Sequence, residues 1–268
     1  MKFCLKNHNA DFSKEAGAPG ADICAPAQMP VETLQFYTAH AADFCAATVR
    51  ADLNEYYIPF LKYLPPGAVI LDAGCGSGRD TKAFMQMGYR VRAIDFCPEV
   101  AKKASEHTGQ DCEILSFQRM RFHQAFDGIW AFASLLHVPR SEMEQVLHRM
   151  ADALKPKGVF CVSLKEGSGE GIAVDGRFFS YFGLEEFSQL LRNTGKLRIQ
   201  SAWKSTARDS SNNMCYWVNF IAIKPGLLGA GAEQGTTPLN FSANNRPSME
   251  QPSGHLLSGL RHLPKIAE

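Results

Sequence analysis

Val69-Ile70-Leu71-Asp72-Ala73-Gly74-Cys75-Gly76-Ser77-Gly78-Arg79 is the stretch on which the reading of this chain turns. Ala68 to Asp72 is a short apolar run suited to a buried strand. The three glycines after it let the backbone turn sharply and approach a ligand closely. Thr81 to Met87, closed by Gly88, then has the pattern of a short helix. Strand, glycine-rich turn and helix in that order form a ligand-binding geometry common to several nucleotide-like molecules, so spacing and charge must choose among them.

A dinucleotide fold calls for G-x-G-x-x-G, with a helix N-terminus facing a pyrophosphate. Here the spacing is G-x-G-x-G, and Arg79 stands in the place of the third glycine. Asp72 lies two residues before Gly74, where a carboxylate repels a pyrophosphate but suits an ammonium group. S-adenosylmethionine offers an ammonium and carries no phosphate. Asp95 ends the next apolar run, Arg90 to Asp95, where an acid can accept both ribose hydroxyls. An acid there serves NAD equally well, so Asp72 and the glycine spacing are what disfavour a NAD-dependent oxidoreductase. A non-catalytic S-adenosylmethionine-binding protein stays open, because a binding motif does not report turnover.

Outward from this core the chain alternates. Val31 to Arg50 and Leu53 to Tyr63 read as N-terminal helices, the second broken near Pro59. Pro98 opens a helix that runs to Thr108, with Gly109 at its end. Cys112 to Leu115, Phe126 to Ala131 and Val159 to Leu164 read as further strands. Ser141 and Glu144 form a capping-box pattern ahead of an amphipathic helix. Leu184 to Arg192 reads as another helix, and Leu197 to Trp203 with Cys215 to Ile223 as a closing hairpin. The expected fold is a doubly wound α/β domain, with a mostly parallel seven-stranded sheet, an antiparallel edge strand and N-terminal helices. Its expected bounds are 31–225, flanked by a flexible arm over 1–30 and a largely disordered tail over 226–268 that is rich in Gly, Ala, Ser, Asn and Pro.

The run from Ile70 to Asp95 resembles motif I and the following acidic position of class I methyltransferases. LDAGCGSGRDT is similar to a bacterial subgroup related to the tellurite-resistance methyltransferases. Phe126 to Ala131 with Ser134 to Pro139 resembles the motif after strand four, and Leu154-Lys155-Pro156-Lys157-Gly158 the turn before strand five. The resemblance implies an enzyme that transfers a methyl group from S-adenosylmethionine to a small-molecule acceptor by in-line displacement. It implies that Asp72 organises the methionyl ammonium, that Gly74, Cys75 and Gly76 form the backbone wall, and that Asp95 holds the ribose. Phe96 would pack on the adenine, Arg79 would lie near the methionyl carboxylate or else pair with Asp80, and Ala131 to Ser134, Ala133 among them, would flank the methyl donor. Relatives often carry an acid after strand three, near the adenine. This chain has Ser116-Phe117-Gln118, so the contact would come from Phe117 stacking or the Gln118 amide. His137, beyond strand four, is the best candidate for a base, and Tyr37 and Thr48 lie on a helix that often covers the cofactor in relatives. The Gly-rich segment 167–183, with Arg177 and Tyr181, is a plausible lid. Trp130 reads as strand core.

The global numbers narrow the class. A net charge of +1 lacks the basic footprint of a nucleic-acid partner. Eight cysteines, at 4, 24, 45, 75, 97, 112, 161 and 215, are scattered without a CxxC pair. This predicts reduced thiols, no disulfide framework and no metal site. No apolar run reaches the length of a membrane span and the N-terminus lacks a signal-peptide pattern, so a cytoplasmic protein is expected.

Overall fold

A computed structural model describes residues 30–208 and 214–226. The chain enters through two helices, α1 (Val31–Thr48) and α2 (Asn54–Leu61), and then alternates: β1 (Val69–Ala73), α3 (Arg79–Gln86), β2 (Arg90–Asp95), α4 (Pro98–Thr108), β3 (Cys112–Ile114), β4 (Phe126–Phe132), α5 (Arg140–Ala153) and β5 (Leu154–Lys165). Then come β6 (Glu170–Ile172), β7 (Phe178–Ser180), α6 (Leu184–Asn193), β8 (Arg198–Arg208) and β9 (Met214–Ile223). Seven strands form one sheet in the order β3-β2-β1-β4-β5-β9-β8. The first five are parallel, while β9 runs antiparallel to both β5 and β8, so the hairpin closes that side of the sheet.

β1 is buried along its whole length because both faces of the sheet are covered. Leu71, Ala73, Ile129, Ala131 and Phe160 pack on one side with α5 and α6. Ile70, Trp130, Val159 and Cys161 pack on the other against Tyr57 and Phe60 of α2 and Phe84 of α3. Strand order reverses between β1 and β4, and in open α/β sheets ligands bind at the carboxyl ends of the strands at that reversal. The glycine turn after β1 sits there.

Several local expectations change. Helix α2 continues through Pro59, the sixth of its eight residues; the i−4 hydrogen bond that Pro59 cannot make is offset by Tyr57 and Phe60, which pack into the core on either side of it. The capping box does not form: α5 begins at Arg140, so Ser141 already lies inside its first turn, and no side chain caps it. Segment 167–183 is not a plain loop. It holds the antiparallel ribbon β6–β7, with Ala173 and Arg177 joined across its turn by a backbone hydrogen bond. The arm before residue 30 and the tail beyond 226 lie outside the described residues. Among the described residues no helix is long and apolar enough to cross a membrane.

Candidate active site

The turn after β1 is sewn to the end of β2. The N–H groups of Gly74 and Cys75 both donate to the Ile94 carbonyl, at 2.9 and 3.0 Å. The Gly76 N–H donates to one Asp95 carboxylate oxygen and the Cys97 N–H to the other, each at 3.0 Å. Gly74 and Gly76 have φ of +80° and +55°, which side chains with a Cβ rarely adopt. At Gly74 an added Cβ would stand 2.5 Å from the Ser134 Cβ and 3.2 Å from the Phe117 ring. The glycine therefore admits two other walls of the site as well as the turn.

These groups surround a cleft with about 390 Å³ of empty space, open solvent included, lined by Tyr37, Phe44, Gly74, Gly76, Asp95, Phe96, Val100, Phe117, Ala133, Ser134 and His137. Nine of the residues singled out in the sequence thus meet at one place, drawn from α1, the β1 turn, the end of β2 and the segments after β3 and β4. Phe44 and Val100 join them without a sequence signal beyond helical hydrophobic spacing. Ala133 takes φ of +55°, a conformation that costs a non-glycine residue about 1–3 kcal/mol and tends to mark functional sites. Its neighbour Ser134 is fixed by a 2.6 Å hydrogen bond to the Ala73 carbonyl.

Four expected residues stand back from the cleft surface. Asp72 is buried and accepts a 2.5 Å hydrogen bond from Thr81. Burial, and next the Asp80 carboxylate, push it up to about 8. Cys75 points toward β3, its sulfur 3.2 Å from that of Cys112. Arg79 is occupied by Asp80 through two bonds, at 2.7 and 2.9 Å, and by the Thr48 carbonyl. Gln118 donates its amide N–H to Glu142 at 2.9 Å, which leaves its buried Oε1 without a donor.

Behind the turn lies a buried polar network that sequence reasoning missed. Asp80 accepts from Arg79, from the Tyr57 hydroxyl at 2.6 Å and from the Trp130 indole at 2.9 Å. Trp130 is core, as read, but its single donor needs a partner when buried, and Asp80 supplies it.

On the opposite side three distant segments converge. His137 places Nδ1 2.7 Å from the Phe178 carbonyl and Nε2 3.0 Å from the Tyr37 hydroxyl. A carbonyl only accepts, so Nδ1 carries the proton and Nε2 accepts from Tyr37. Burial draws the His137 pKa down to about 3, opposed by the Phe178 carbonyl and helped by the Arg177 and Lys165 charges. Burial raises Tyr37, against the pull of Arg177, so its hydroxyl stays protonated. Arg177 donates to Tyr37 at 3.3 Å, is held by Asp175, and lies 4.8 Å from the Phe36 ring and 5.0 Å from the Phe179 ring. The Phe178 N–H donates to Thr33 at 2.8 Å. Helix α1 and the ribbon are thereby joined to each other and to the turn after β4. Among the described residues no group of three His, Cys, Asp or Glu side chains is placed to hold a metal ion.

Comparison with known proteins identifies the chemistry. Residues 70–158, which contain the glycine turn, Asp95 and His137, match a family described as a methyltransferase domain. The chain is an S-adenosylmethionine-dependent methyltransferase. The methyltransferase is 28% identical over 192 residues to a ubiquinone biosynthesis O-methyltransferase of Xanthomonas axonopodis pv. citri, covering 60% of this chain and 78% of the relative. In fold it is similar to a Burkholderia thailandensis 1,6-didemethyltoxoflavin-N1-methyltransferase, with a TM-score of 0.59, 24% identity, and coverage of 77% of this chain and 93% of that one. It is similar also to an S-adenosylmethionine-dependent methyltransferase of Methanosarcina mazei, with a TM-score of 0.58, 21% identity, and coverage of 66% of this chain and all of the other.

Proposed function

We propose that this methyltransferase acts on a small molecule enclosed between the glycine turn and a cover made of α1 and the β6–β7 ribbon. The observation that carries this reading is that Tyr37 and His137 line the cleft, bonded to each other and, through the Tyr37 hydroxyl, to Arg177 of the ribbon turn. A cover of this kind excludes water and orients one small nucleophile, and it leaves poor access for a duplex or a folded protein. The relatives named O-methyltransferases favour oxygen as the acceptor atom. The GCGSGRD string further suggests the subgroup related to tellurite-resistance methyltransferases; the scattered cysteines and missing signal pattern favour a cytoplasmic location, the net charge of +1 speaks against a nucleic-acid partner, and the patterned span supports a catalytic domain over 31–225.

The residues present fit the cofactor. Asp95 offers two carboxylate oxygens, each with a lone pair beyond its backbone donor, to a ribose diol. Phe96 and Phe117 supply flat apolar walls for an adenine, with the unpartnered Gln118 Oε1 buried behind them. The Gly74–Gly76 backbone is open where the methionyl chain would run. Cys75 serves through its backbone there, its thiol facing away. Asp72 lies one layer behind, where burial keeps its carboxyl mostly protonated at neutral pH, so a bound ammonium would act on it by drawing it toward the ionised form, while Arg79 acts by bracing Asp80. S-adenosylmethionine supplies an electrophilic methyl group when bound. The chain's own task is to bind, align and dry the reacting pair. A histidine with a pKa near 3 is a weak proton acceptor at neutral pH, so His137 serves to orient Tyr37, and the Tyr37 hydroxyl is the group presented to the acceptor.

Two measurements test the site. Asp95→Asn is expected to weaken S-adenosylhomocysteine binding by about ten- to a hundredfold, the equivalent of 1.5–3 kcal/mol for hydrogen bonds to a charged group. Burial, opposed by the Cys97 and Gly76 N–H groups, holds the Asp95 pKa up at about 6 in the free protein. Ribose hydroxyls stabilise the ionised form, so the advantage of wild type over Asp95→Asn is full above that pH and shrinks as pH falls through it. Titration calorimetry between pH 5 and 8 that finds a constant ratio would place the ribose elsewhere.

Hydrogen exchange tests the cover. Residues 31–48 and 166–182 are expected to gain protection when S-adenosylhomocysteine binds. Tyr37→Phe, which strips His137 Nε2 and Arg177 of a partner, should cut turnover by roughly tenfold or more while cofactor affinity changes less. Deletion of residues 1–50 should abolish turnover. Normal turnover in that deletion would favour a macromolecular acceptor on an open face.

A further inference from the structure

The cofactor turn also carries a feature that methyl transfer does not use. Cys75 sits between the two glycines that line the cleft, with its side chain on the opposite side of the turn. Cys112 is the first residue of β3, the edge strand, and pairs in register with Ala93 of β2. Ile94, the next residue of β2, accepts the Cys75 N–H, so both cysteines are anchored to adjacent residues of one strand. Their sulfurs lie 3.2 Å apart, packed with Ala93 and Ala104, and both are free thiols. Cys75 is 7% exposed, whereas Cys112 is partly open to solvent at the sheet edge.

We propose that Cys75 and Cys112 form a reversible disulfide under oxidation, making them a redox modification site directly behind the cofactor turn. A disulfide needs a sulfur separation of about 2.05 Å. The sulfurs therefore close by little more than 1 Å from their reduced contact. β3 has three residues and a single neighbouring strand, so it can supply that shift. The oxidant is hydrogen peroxide. The Cys112 thiol gives up its proton and its sulfur attacks one peroxide oxygen; the O–O bond breaks, and the leaving hydroxide takes that proton and departs as water, giving a sulfenic acid. The Cys75 sulfur then attacks the Cys112 sulfur. The S–S bond forms, the S–O bond breaks, and the hydroxyl leaves with the Cys75 proton as a second water. Two electrons pass from the thiols to one peroxide. Cys112 is the thiol that solvent reaches, while the Cys112 contact and then burial keep the Cys75 thiol protonated, which assigns first attack to Cys112 and resolution to Cys75.

The test uses the full chain, reduced, freed of reductant and treated with hydrogen peroxide, then quenched with N-ethylmaleimide and digested without reduction. Mass spectrometry should find the Cys75 and Cys112 peptides joined and lighter by two hydrogens. Dithiothreitol should restore both thiols, and Cys112→Ala should leave Cys75 as a free thiol. The oxidised wild type should melt several degrees above the reduced protein, because the bond closes a long loop of the unfolded chain. The wild-type peptide map needs no variant, so misfolding of Cys112→Ala would not blunt the test. Cys112 recovered as a sulfinic acid or a maleimide adduct beside a free Cys75 would overturn the proposal, as would either cysteine joined instead to Cys4, Cys24 or another thiol.

Discussion

Gly74→Ala is expected to weaken S-adenosylhomocysteine binding by about five- to 150-fold, the equivalent of an overpacking cost of about 1–3 kcal/mol that falls on the cleft walls, and to lose about a further 1–2 kcal/mol of fold stability to its left-handed backbone. The backbone penalty follows from φ of +80°. The overpacking follows from the 2.5 Å approach to the Ser134 Cβ, which cannot retreat while Ser134 is bonded to the Ala73 carbonyl. Something must shift, and each candidate is a cleft wall: the turn, Ser134 or the Phe117 ring. Gly67→Ala is the matched control. It carries the same backbone penalty at φ of +71° with nothing within 4 Å of the new methyl, and it lies outside the cleft. Both variants should lose some thermal stability, but Gly67→Ala should bind as wild type does. Equal affinities for the two variants would show that the Gly74 contact is relieved at no cost to the site.

Asp80→Ala is expected to lower stability by about 3–5 kcal/mol, the usual result of removing one partner from a buried ion pair. Arg79 would lose its carboxylate while 20% exposed, and Tyr57 and the fully buried Trp130 would lose the acceptor for their donors. For a domain of this size the melting temperature should fall by roughly 6–20 °C. Asp80→Asn keeps one acceptor oxygen and should fall less. The Asp80 charge also helps to hold Asp72 above the ordinary carboxylate range, so in Asp80→Asn the Asp72 pKa should move down, readable by carboxyl-resolved NMR titration. Loss of no more than a degree or two in Asp80→Ala would mean that water replaces the carboxylate, and that the network is not part of the core.

Residues 69–79 were legible because everything they need is local. An apolar strand, positive-φ glycines and a helix start occupy eleven consecutive positions, and Asp95 follows at the end of the next strand. The parallel order of β1 to β5 followed from alternation alone. Other features had no local signature. The strands of the β6–β7 ribbon have three residues each, too few to show a period amid glycines. Pro59 read as a helix break, yet packing of Tyr57 and Phe60 into the core holds α2 together across it. Arg79 admitted two roles in sequence, and the position of Asp80 against Tyr57 and Trp130 makes it a brace.

What the sequence by itself determined is the fold class, the glycine turn after β1 and the acid at the end of β2, since each depends on backbone conformation and short-range spacing. Tertiary structure alone decided the rest of the site. Tyr37 and His137 are 100 residues apart and Arg177 is 140 from Tyr37, and Cys75 meets Cys112 across 37. Such contacts arise only when the sheet fixes where each strand ends, because a side chain's partner, its burial and the resulting pKa are properties of the packed neighbourhood and not of the residue type.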